Sequence, residues 1–247
     1  MPRIDFRTPR LFIDRPLEPA TELDLDRNQI NYLSNVLRLR PGERVLVFNG
    51  RDGEWAATIG GGKRPVLALM ERTRPQATPP DIGYLFAPLK HARLDYIVQK
   101  AVEMGASVLQ PVITQHTQVG RVNIERMRAN VIEAAEQCGI LNIAGVAEPA
   151  ALTAFLANRN ARRLLVFCDE DAENADPITA LRNAPAHAGV DVLIGPEGGF
   201  AQAERLALRD QSSIVRLSLG PRILRADTAG VAALALIEAA FGASSQR

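Results

Sequence analysis

Short apolar runs separated by Gly, Pro, Asn or Asp dominate the first third of the chain. They predict four strands, over residues 10–13, 44–48, 54–59 and 66–71. Residues 49–53, Asn-Gly-Arg-Asp-Gly, are typical of a hairpin loop between two of these strands. Apolar residues at helical spacing between residues 27 and 37 predict one helix, which Pro41 and Gly42 end. The pattern indicates a small β-barrel with one helix.

A proline-rich stretch without large apolar residues follows at residues 72–81. Such a composition is typical of a linker. We therefore predict a first domain at residues 1–73, a linker at 74–81 and a second domain at 82–247.

Beyond the linker the pattern alternates between helical spacing and short apolar runs. It predicts helices over residues 94–104, 124–138, 203–210 and 228–241, and another that Asp176 and Pro177 open. Strands are predicted at 108–110, 164–168, 191–194 and 213–217. This alternation favours an α/β domain with a mostly parallel sheet covered by helices on both faces.

Composition and charge narrow the class of protein. Of the 247 residues, 47% are hydrophobic and 23% charged, which is typical of a globular protein. No apolar stretch is long enough for a membrane span and residues 1–10 lack a signal-peptide core, so we expect a cytoplasmic protein without a membrane partner. The two cysteines, Cys138 and Cys168, form no CxxC pair, and HExxH is absent, so neither a disulfide nor a metal is expected.

The formal net charge of +1 is unevenly distributed. Residues 1–80 hold 13 Lys and Arg against 10 Asp and Glu, a balance of +3. The nine basic residues among the first 51 are all arginine. Arginine suits bidentate contact with phosphate, although a GC-rich genome would produce the same preference. A surplus this small does not by itself establish nucleic-acid binding.

Two glycine-containing loops each follow a predicted strand. The loop at 194–200, Ile-Gly-Pro-Glu-Gly-Gly-Phe, matches neither the dinucleotide fingerprint nor the P-loop. The loop at 217–228 mixes apolar residues with two arginines and an aspartate, and its apolar walls suit an adenine ring better than a triphosphate. Loops at the carboxyl ends of parallel strands are where α/β proteins usually bind ligands, and an ordinary tight turn is the alternative.

Several ordered motifs resemble those of the ribosomal RNA small-subunit methyltransferase E family. They lie at residues 10–13, 31–42, 90–111, 133–138, 194–200 and 217–229 and span nearly the whole chain. The resemblance implies a PUA-like RNA-binding barrel, a SPOUT-class α/β domain with a deep trefoil knot, and a homodimer. It also implies methyl transfer from S-adenosylmethionine to N3 of one uridine in 16S rRNA, in the decoding region of the assembled small subunit.

The same resemblance assigns roles to individual residues. The residues expected to bind the cofactor are Ile194, Gly195, Pro196, Glu197, Gly198, Gly199, Leu217, Leu219, Gly220, Ile223 and Leu224. For the aliphatic residues of the second loop, packing in the core is the alternative role. Uridine or phosphate contact falls to Arg10, Arg38, Lys90, Arg93, Arg222 and Arg225.

The chemistry of uridine adds catalytic roles to this set. Uridine N3 carries a proton, so Arg222 or Arg225 would stabilise the developing anion and Glu197 or Asp227 would accept the proton. A helix-capping role is favoured for Asp227. His91 and His116 are further candidates for RNA contact, with an exposed histidine of no function as the alternative.

The chain departs from the family pattern at a few positions. His116 and Thr117 stand where many relatives carry Arg-Ser, and an expected arginine is replaced within residues 139–142. The usual Glu-Thr-Ala becomes Asp-Thr-Ala at 227–229, and Ala201 replaces a capping Ser or Thr. We expect cofactor binding to survive these changes, whereas the loss of the expected arginines removes positive charge near the expected RNA site.

Three other functions compete with this interpretation. A SPOUT enzyme could act on another RNA, such as a tRNA ribose, and a target assay would distinguish it. A non-catalytic RNA-binding protein would fail to bind S-adenosylmethionine. A nucleotide-hydrolysing enzyme is disfavoured because the phosphate motif ending in Lys-Ser/Thr is absent.

Overall fold

The structure is a computed structural model of the chain that describes residues 5–61, 65–90, 92–172 and 176–242. The chain forms two compact units, one of residues 1–78 with 132–143 and one of residues 79–131 with 144–247. The predicted linker at 74–81 lies near the point where the first unit gives way to the second, but a single boundary along the chain places residues 132–143 in the second domain, whereas they belong to the first unit. This segment is the second half of a long helix and the turn after it.

The secondary structure alternates as the sequence indicates, with several additional short elements. In chain order the elements are β1 Arg10–Phe12, β2 Glu22–Asp24, α1 Arg27–Asn31, β3 Arg44–Phe48, β4 Glu54–Ile59, β5 Val66–Arg74, β6 Ile82–Phe86, α2 Ala92–Glu103, β7 Val108–Ile113, α3 Ile124–Cys138, β8 Gly145–Val146, β9 Ala150–Ala151, α4 Leu152–Asn158, β10 Leu164–Cys168, α5 Pro177–Arg182, β11 Val190–Ile194, α6 Gln202–Arg209, β12 Ile214–Leu217 and α7 Ala226–Phe241.

The first unit is a five-stranded sheet in the order β1-β3-β4-β5-β2. Strands β1 and β3 run parallel and the other pairs are antiparallel. No pairing joins the end strands β1 and β2 in the described residues, so the sheet is curled rather than closed. Its core is apolar and includes Leu33, Val45, Val47 and Leu67. The predicted small β-barrel is present as this curled sheet, and α1 lies within the range predicted for its helix.

The helix predicted at residues 27–37 changes type along its length. Asp26 caps α1, accepting the Gln29 N–H at 2.8 Å while its own N–H donates to the Gln29 side chain at 3.0 Å. From Tyr32 to Val36 the backbone is a π-helix, closed by the Leu37 N–H on the Tyr32 carbonyl at 2.9 Å. This wider turn buries Leu33.

In the first unit, Glu136 on α3 binds the backbone of β1. Its carboxylate accepts the Phe12 N–H at 2.8 Å. Burial, and to a smaller extent the charge of Glu133, raises the pKa of Glu136 from 4.5 to about 7, although the Phe12 hydrogen bond opposes this shift. The carboxyl therefore holds its proton in the folded state at pH values where the unfolded chain has released it.

This shift makes stability depend on pH. Because the folded pKa lies above the unfolded one, the contribution of Glu136 to stability is complete below about pH 4.5 and is lost as pH rises through about 7, a loss of about 3 kcal/mol in the free energy of unfolding. We expect Glu136→Gln to remove this decline between pH 5 and pH 8, since an amide oxygen still accepts the Phe12 N–H without carrying charge. Urea unfolding at both pH values measures the effect. Glu18→Gln, at an exposed position, is the matched control, and an unchanged pH slope in the Glu136 variant would contradict the argument.

The second unit is a parallel sheet in the order β12-β10-β11-β6-β7-β8, with β9 paired to β7. Strands β6 and β11 are buried along their whole length, as expected for strands covered on both faces. Helix α7 packs against α2 and α5 and contacts β11. The predicted mixed α/β fold is confirmed. Among the described residues, no helix combines the length and the apolar character of a membrane span.

Candidate functional site

Three neighbouring parallel strands of the second unit end at one cleft. Strands β10, β11 and β12 are adjacent in the sheet, and their last residues, Cys168, Ile194 and Leu217, all line a cavity of about 350 Å³. The complete lining is Cys168, Asp169, Glu170, Ile194, Gly195, Pro196, Glu197, Gly199, Phe200, Arg205, Leu217, Leu219, Gly220, Arg222, Ile223, Leu224, Arg225, Ala226 and Ala229. This is the volume and the mixed polar and apolar lining of a small-molecule site.

The loop after β11 has its shape fixed by glycines. The Gly199 N–H donates to the Pro196 carbonyl at 2.9 Å, and Gly199 has φ +67°, a conformation that favours glycine. A Cβ at Gly195 would lie 2.5 Å from a ring carbon of Phe200, whose ring packs edge-on against Phe167 at 5.1 Å. A side chain at Gly195 would therefore displace an aromatic ring that lines the cleft.

The loop after β12 supplies the apolar wall. Leu217 is buried, Leu224 is half-buried, and Ile223 is 94% exposed. Gly220 has φ +105° with open space where a Cβ would stand. An isoleucine this exposed at the rim of a cavity leaves apolar surface for a ligand to cover.

The end of β10 contributes charge that sequence reasoning did not anticipate. Asp169 is buried and accepts hydrogen bonds from Arg205 at 3.3 Å and Arg216 at 3.0 Å. Burial, together with the charge of Asp169, raises the pKa of the adjacent Cys168 to about 12, so this cysteine is a neutral thiol near pH 7. The acidic run directly after a predicted buried strand was the available signal, since loops at that end of a parallel sheet bind ligands.

Arg93 on α2 joins the first loop to the last helix. Its Nε donates to Asp227 at 2.9 Å, and its Nη1 pairs with Glu197. The hydrogen bond from Arg93 holds the pKa of Asp227 below its ordinary value. Helix α7 begins at Ala226, so Asp227 lies inside its first turn and the expected N-cap at this position is wrong. The Asp227 side chain is instead engaged by an arginine 134 residues away.

The predicted site residues divide into those that the structure brings together and those that it does not. Ten of the eleven candidate cofactor residues line the cleft, and Gly198 instead faces His116. Arg222 and Arg225 are exposed at the cleft and form no ion pair with another described residue. Lys90 is exposed just before α2, and Arg38 is exposed in the first unit with φ 57°. His91 lies outside the described residues.

Arg10 does not have the free guanidinium that RNA contact requires, and that prediction is corrected. Its side chain is 3% exposed and donates to Glu54 at 2.9 Å. Glu54 also binds Arg74 and Thr73. Burial alone would raise the pKa of Glu54, but the hydrogen bonds from Arg74, Thr73 and Arg10 outweigh it and hold the pKa below its ordinary value. Arg10 is part of a buried ion cluster within the first unit.

In the part of the chain that the structure describes, no group of three or more His, Cys, Asp or Glu side chains is arranged to hold a metal ion.

Comparisons with known proteins match both units. The family model of the RNA methyltransferase domain matches residues 76–238, and that of the RNA methyltransferase PUA domain matches residues 25–70. The chain is 29% identical to the ribosomal RNA small subunit methyltransferase E of Rickettsia conorii, over 92% of this chain and 94% of that protein. It is 31% identical to the Synechocystis protein of the same name, over 85% of this chain and 71% of that one.

A solved structure gives the corresponding result for the fold. The ribosomal RNA small subunit methyltransferase E from Neisseria gonorrhoeae, bound to S-adenosyl methionine, superposes with a TM-score of 0.81 at 26% identity. The similarity covers 94% of this chain and 98% of that one.

Proposed function

The chain belongs to the ribosomal RNA small subunit methyltransferase E family, and on that premise we propose that it methylates N3 of one uridine in 16S rRNA. The methyl donor is S-adenosylmethionine, and the target lies in the decoding region of the assembled small subunit. The observation that carries the proposal is the cleft where β10, β11 and β12 end, with an apolar loop on one side and a glycine loop on the other.

The residues of the cleft fit the methyl donor. Leu217, Leu219 and Leu224 offer aliphatic surface for the adenine ring, and the glycines allow the backbone to approach it closely. Glu170 and Glu197 bring negative charge to a cleft that would hold a cationic sulfonium. When bound, S-adenosylmethionine supplies an electrophilic methyl group. The neutral thiol of Cys168 offers no competing nucleophile at the floor.

The two exposed arginines fit the demands of the uridine. Loss of the N3 proton spreads negative charge onto O2 and O4, and a fixed guanidinium lowers the energy of that charge. Arg222 and Arg225 line the cleft, and neither forms an ion pair with a carboxylate of the described residues. Glu197 is the proton acceptor in this proposal, and Arg93 holds it in place.

The remaining features follow from the family. The first unit would bind the RNA. The exposed Arg38 of that unit and the exposed Lys90 of the second unit would contact phosphates. Arg93 would contact RNA only on exchanging its present carboxylate partners for a phosphate. A homodimer, a deep trefoil knot in the second unit and a cytoplasmic location complete the proposal.

One experiment tests the reaction and the target. Purified protein is incubated with S-adenosylmethionine and small ribosomal subunits lacking the modification, and the digested RNA is examined for 3-methyluridine by mass spectrometry. A single modified site in 16S rRNA is the expected result, with little modification of naked rRNA run in parallel. Binding of the cofactor without 3-methyluridine would overturn the proposed target, and failure to bind the cofactor would overturn the activity.

A further inference from the structure

His116 lies in the loop after β7 and contacts the glycine loop from outside the cleft. Its Nδ1 is 3.1 Å from the Gly198 carbonyl oxygen and 3.0 Å from the Gly199 carbonyl oxygen. Carbonyl oxygens only accept hydrogen bonds, so Nδ1 carries the proton and donates to both. The imidazole is therefore a donor at this position whichever charge state it holds.

The position of His116 is set by a short turn. The Thr117 N–H donates to the Thr114 carbonyl at 3.1 Å, and the Thr117 hydroxyl accepts the Thr114 N–H at 2.9 Å. The Glu204 carboxylate then accepts the Gln115 N–H at 2.8 Å and the Ala201 N–H at 2.9 Å. Through Glu204, the loop after β7 is therefore connected to Ala201, the residue that directly follows the glycine loop.

The two carbonyls belong to consecutive glycines at the edge of the cleft. Gly199 and Phe200 line the cavity whereas Gly198 does not, and two glycines in succession place little steric limit on rotation of the peptides that carry these carbonyls. A rotated peptide would present a carbonyl where an N–H stood, or the reverse. The hydrogen bond to His116 holds such a carbonyl in one orientation. His116 does not line the cavity, so it would act on the loop from outside the cleft.

We propose that His116 is a positioning residue that fixes the Gly198 and Gly199 peptides and so prepares the methyl-donor loop for binding. The inference rests on the proposed function, because it assigns the loop to the donor. Loss of one such hydrogen-bonding group lowers affinity by about fivefold.

Two substitutions of similar size separate donation from packing. His116→Asn places an amide nitrogen the same number of bonds from Cα as Nδ1, whereas His116→Leu places a methyl group there. In isothermal calorimetry we expect the Leu variant to bind S-adenosylmethionine about fivefold more weakly. The Asn variant should stay within about twofold of wild type. The KM for the donor should rise in the Leu variant, with kcat and the KM for RNA little changed.

A second measurement follows the loop without any ligand. Hydrogen exchange of the peptide containing residues 195–201 should be faster in the Leu variant and unchanged in the Asn variant. His187→Leu is the matched control, because the half-buried His187 also has its Nδ1 at 2.9 Å from a carbonyl oxygen, that of Pro185, and its ring packs on Phe241 rather than on the glycine loop. It should leave donor binding and the exchange of residues 195–201 at wild-type values.

The outcomes distinguish this inference from the proposed function. Wild-type affinity and exchange in the Leu variant would overturn the positioning role. A raised KM for RNA with unchanged donor affinity would assign His116 to RNA contact and also overturn it. Wild-type protein that does not bind the donor would overturn the proposed function and the donor-binding role of His116, and the exchange data would still decide whether His116 fixes the loop.

Discussion

Arg225→Ala is expected to lower kcat for the proposed uridine methylation about 100-fold, the loss seen when one charge-stabilising group is removed from an active site. Arg225 is exposed at the cleft, precedes α7 and forms no ion pair with another described residue, so its guanidinium is free to face O2 or O4 of the base. Arg225→Lys should recover part of the rate, since it keeps the charge and loses the planar fork. Single-turnover kinetics with undermodified small subunits measures both effects.

The dependence on pH adds a readout that misfolding would not reproduce. Uridine N3 loses its proton without help in alkaline solution, so the deficit of the Ala variant should shrink as pH rises. Arg162→Ala is the matched control, because Arg162 is an exposed arginine before the start of β10, at the opposite end of the strand from the cleft. Arg222→Ala, measured in the same way, decides which of the two arginines carries the larger share. Activity within twofold of wild type in both single variants would contradict anion stabilisation by this loop.

Sequence patterning was most informative where one signal dominates. The bounds of α3, β3, β4 and β10 agree with the predicted ranges. Helix α3 is strongly periodic, β10 is wholly apolar, and β3 and β4 flank the turn-forming residues 49–53. Strand β6 was missed, since Pro79, Pro80 and Gly83 resemble a continuing linker. Yet Gly83 is required there, because a Cβ would collide with the Asp191 carboxylate.

Long-range partners explain the errors among the charged residues. Arg10 reads as a basic residue free for RNA, and only the fold reveals Glu54 beside it, 44 positions along the chain. Asp227 has the local pattern of a helix cap, but Arg93 competes for its carboxylate. His116 and Gly198 are 82 positions apart, so no local pattern links them. The cleft loops were predictable because strand ends of a parallel sheet converge by topology, whereas individual ion pairs depend on packing.

Gly230→Ala should destabilise the second unit by about 2 kcal/mol, although alanine favours a helix over glycine by about 1 kcal/mol. Gly230 is buried in α7, and a Cβ there would collide with the Tyr84 hydroxyl oxygen and lie 2.9 Å from Ile97 Cδ1. Tyr84 is fully buried and stacks on Phe86 at 5.2 Å, so it cannot move aside. Overpacking therefore outweighs helix propensity, and the sign of the change is opposite to that expected at an exposed helical glycine.

A double-mutant cycle tests this cause. Tyr84→Phe removes the hydroxyl oxygen but leaves the contacts with Ile97 Cδ1 and with the ring, so Gly230→Ala should cost less in that background, and thermal unfolding of the four proteins gives the coupling. Gly120→Ala, where a Cβ meets no atom within 4 Å, is the control for the substitution itself. An equal loss from Gly230→Ala in both backgrounds would show that the hydroxyl is not the obstacle.

The same contact links the core to the cleft. Ala226 and Ala229 on the first turn of α7 line the cavity, and Gly230 is the next residue. Since Tyr84 cannot yield, the added methyl group must push α7 outward, which moves those two alanines away from the loop after β11. Gly230→Ala should therefore weaken S-adenosylmethionine binding as well as stability, and Tyr84→Phe should restore part of both together. If Tyr84→Phe restored stability but not binding, displacement of α7 would not be the cause of the weaker binding.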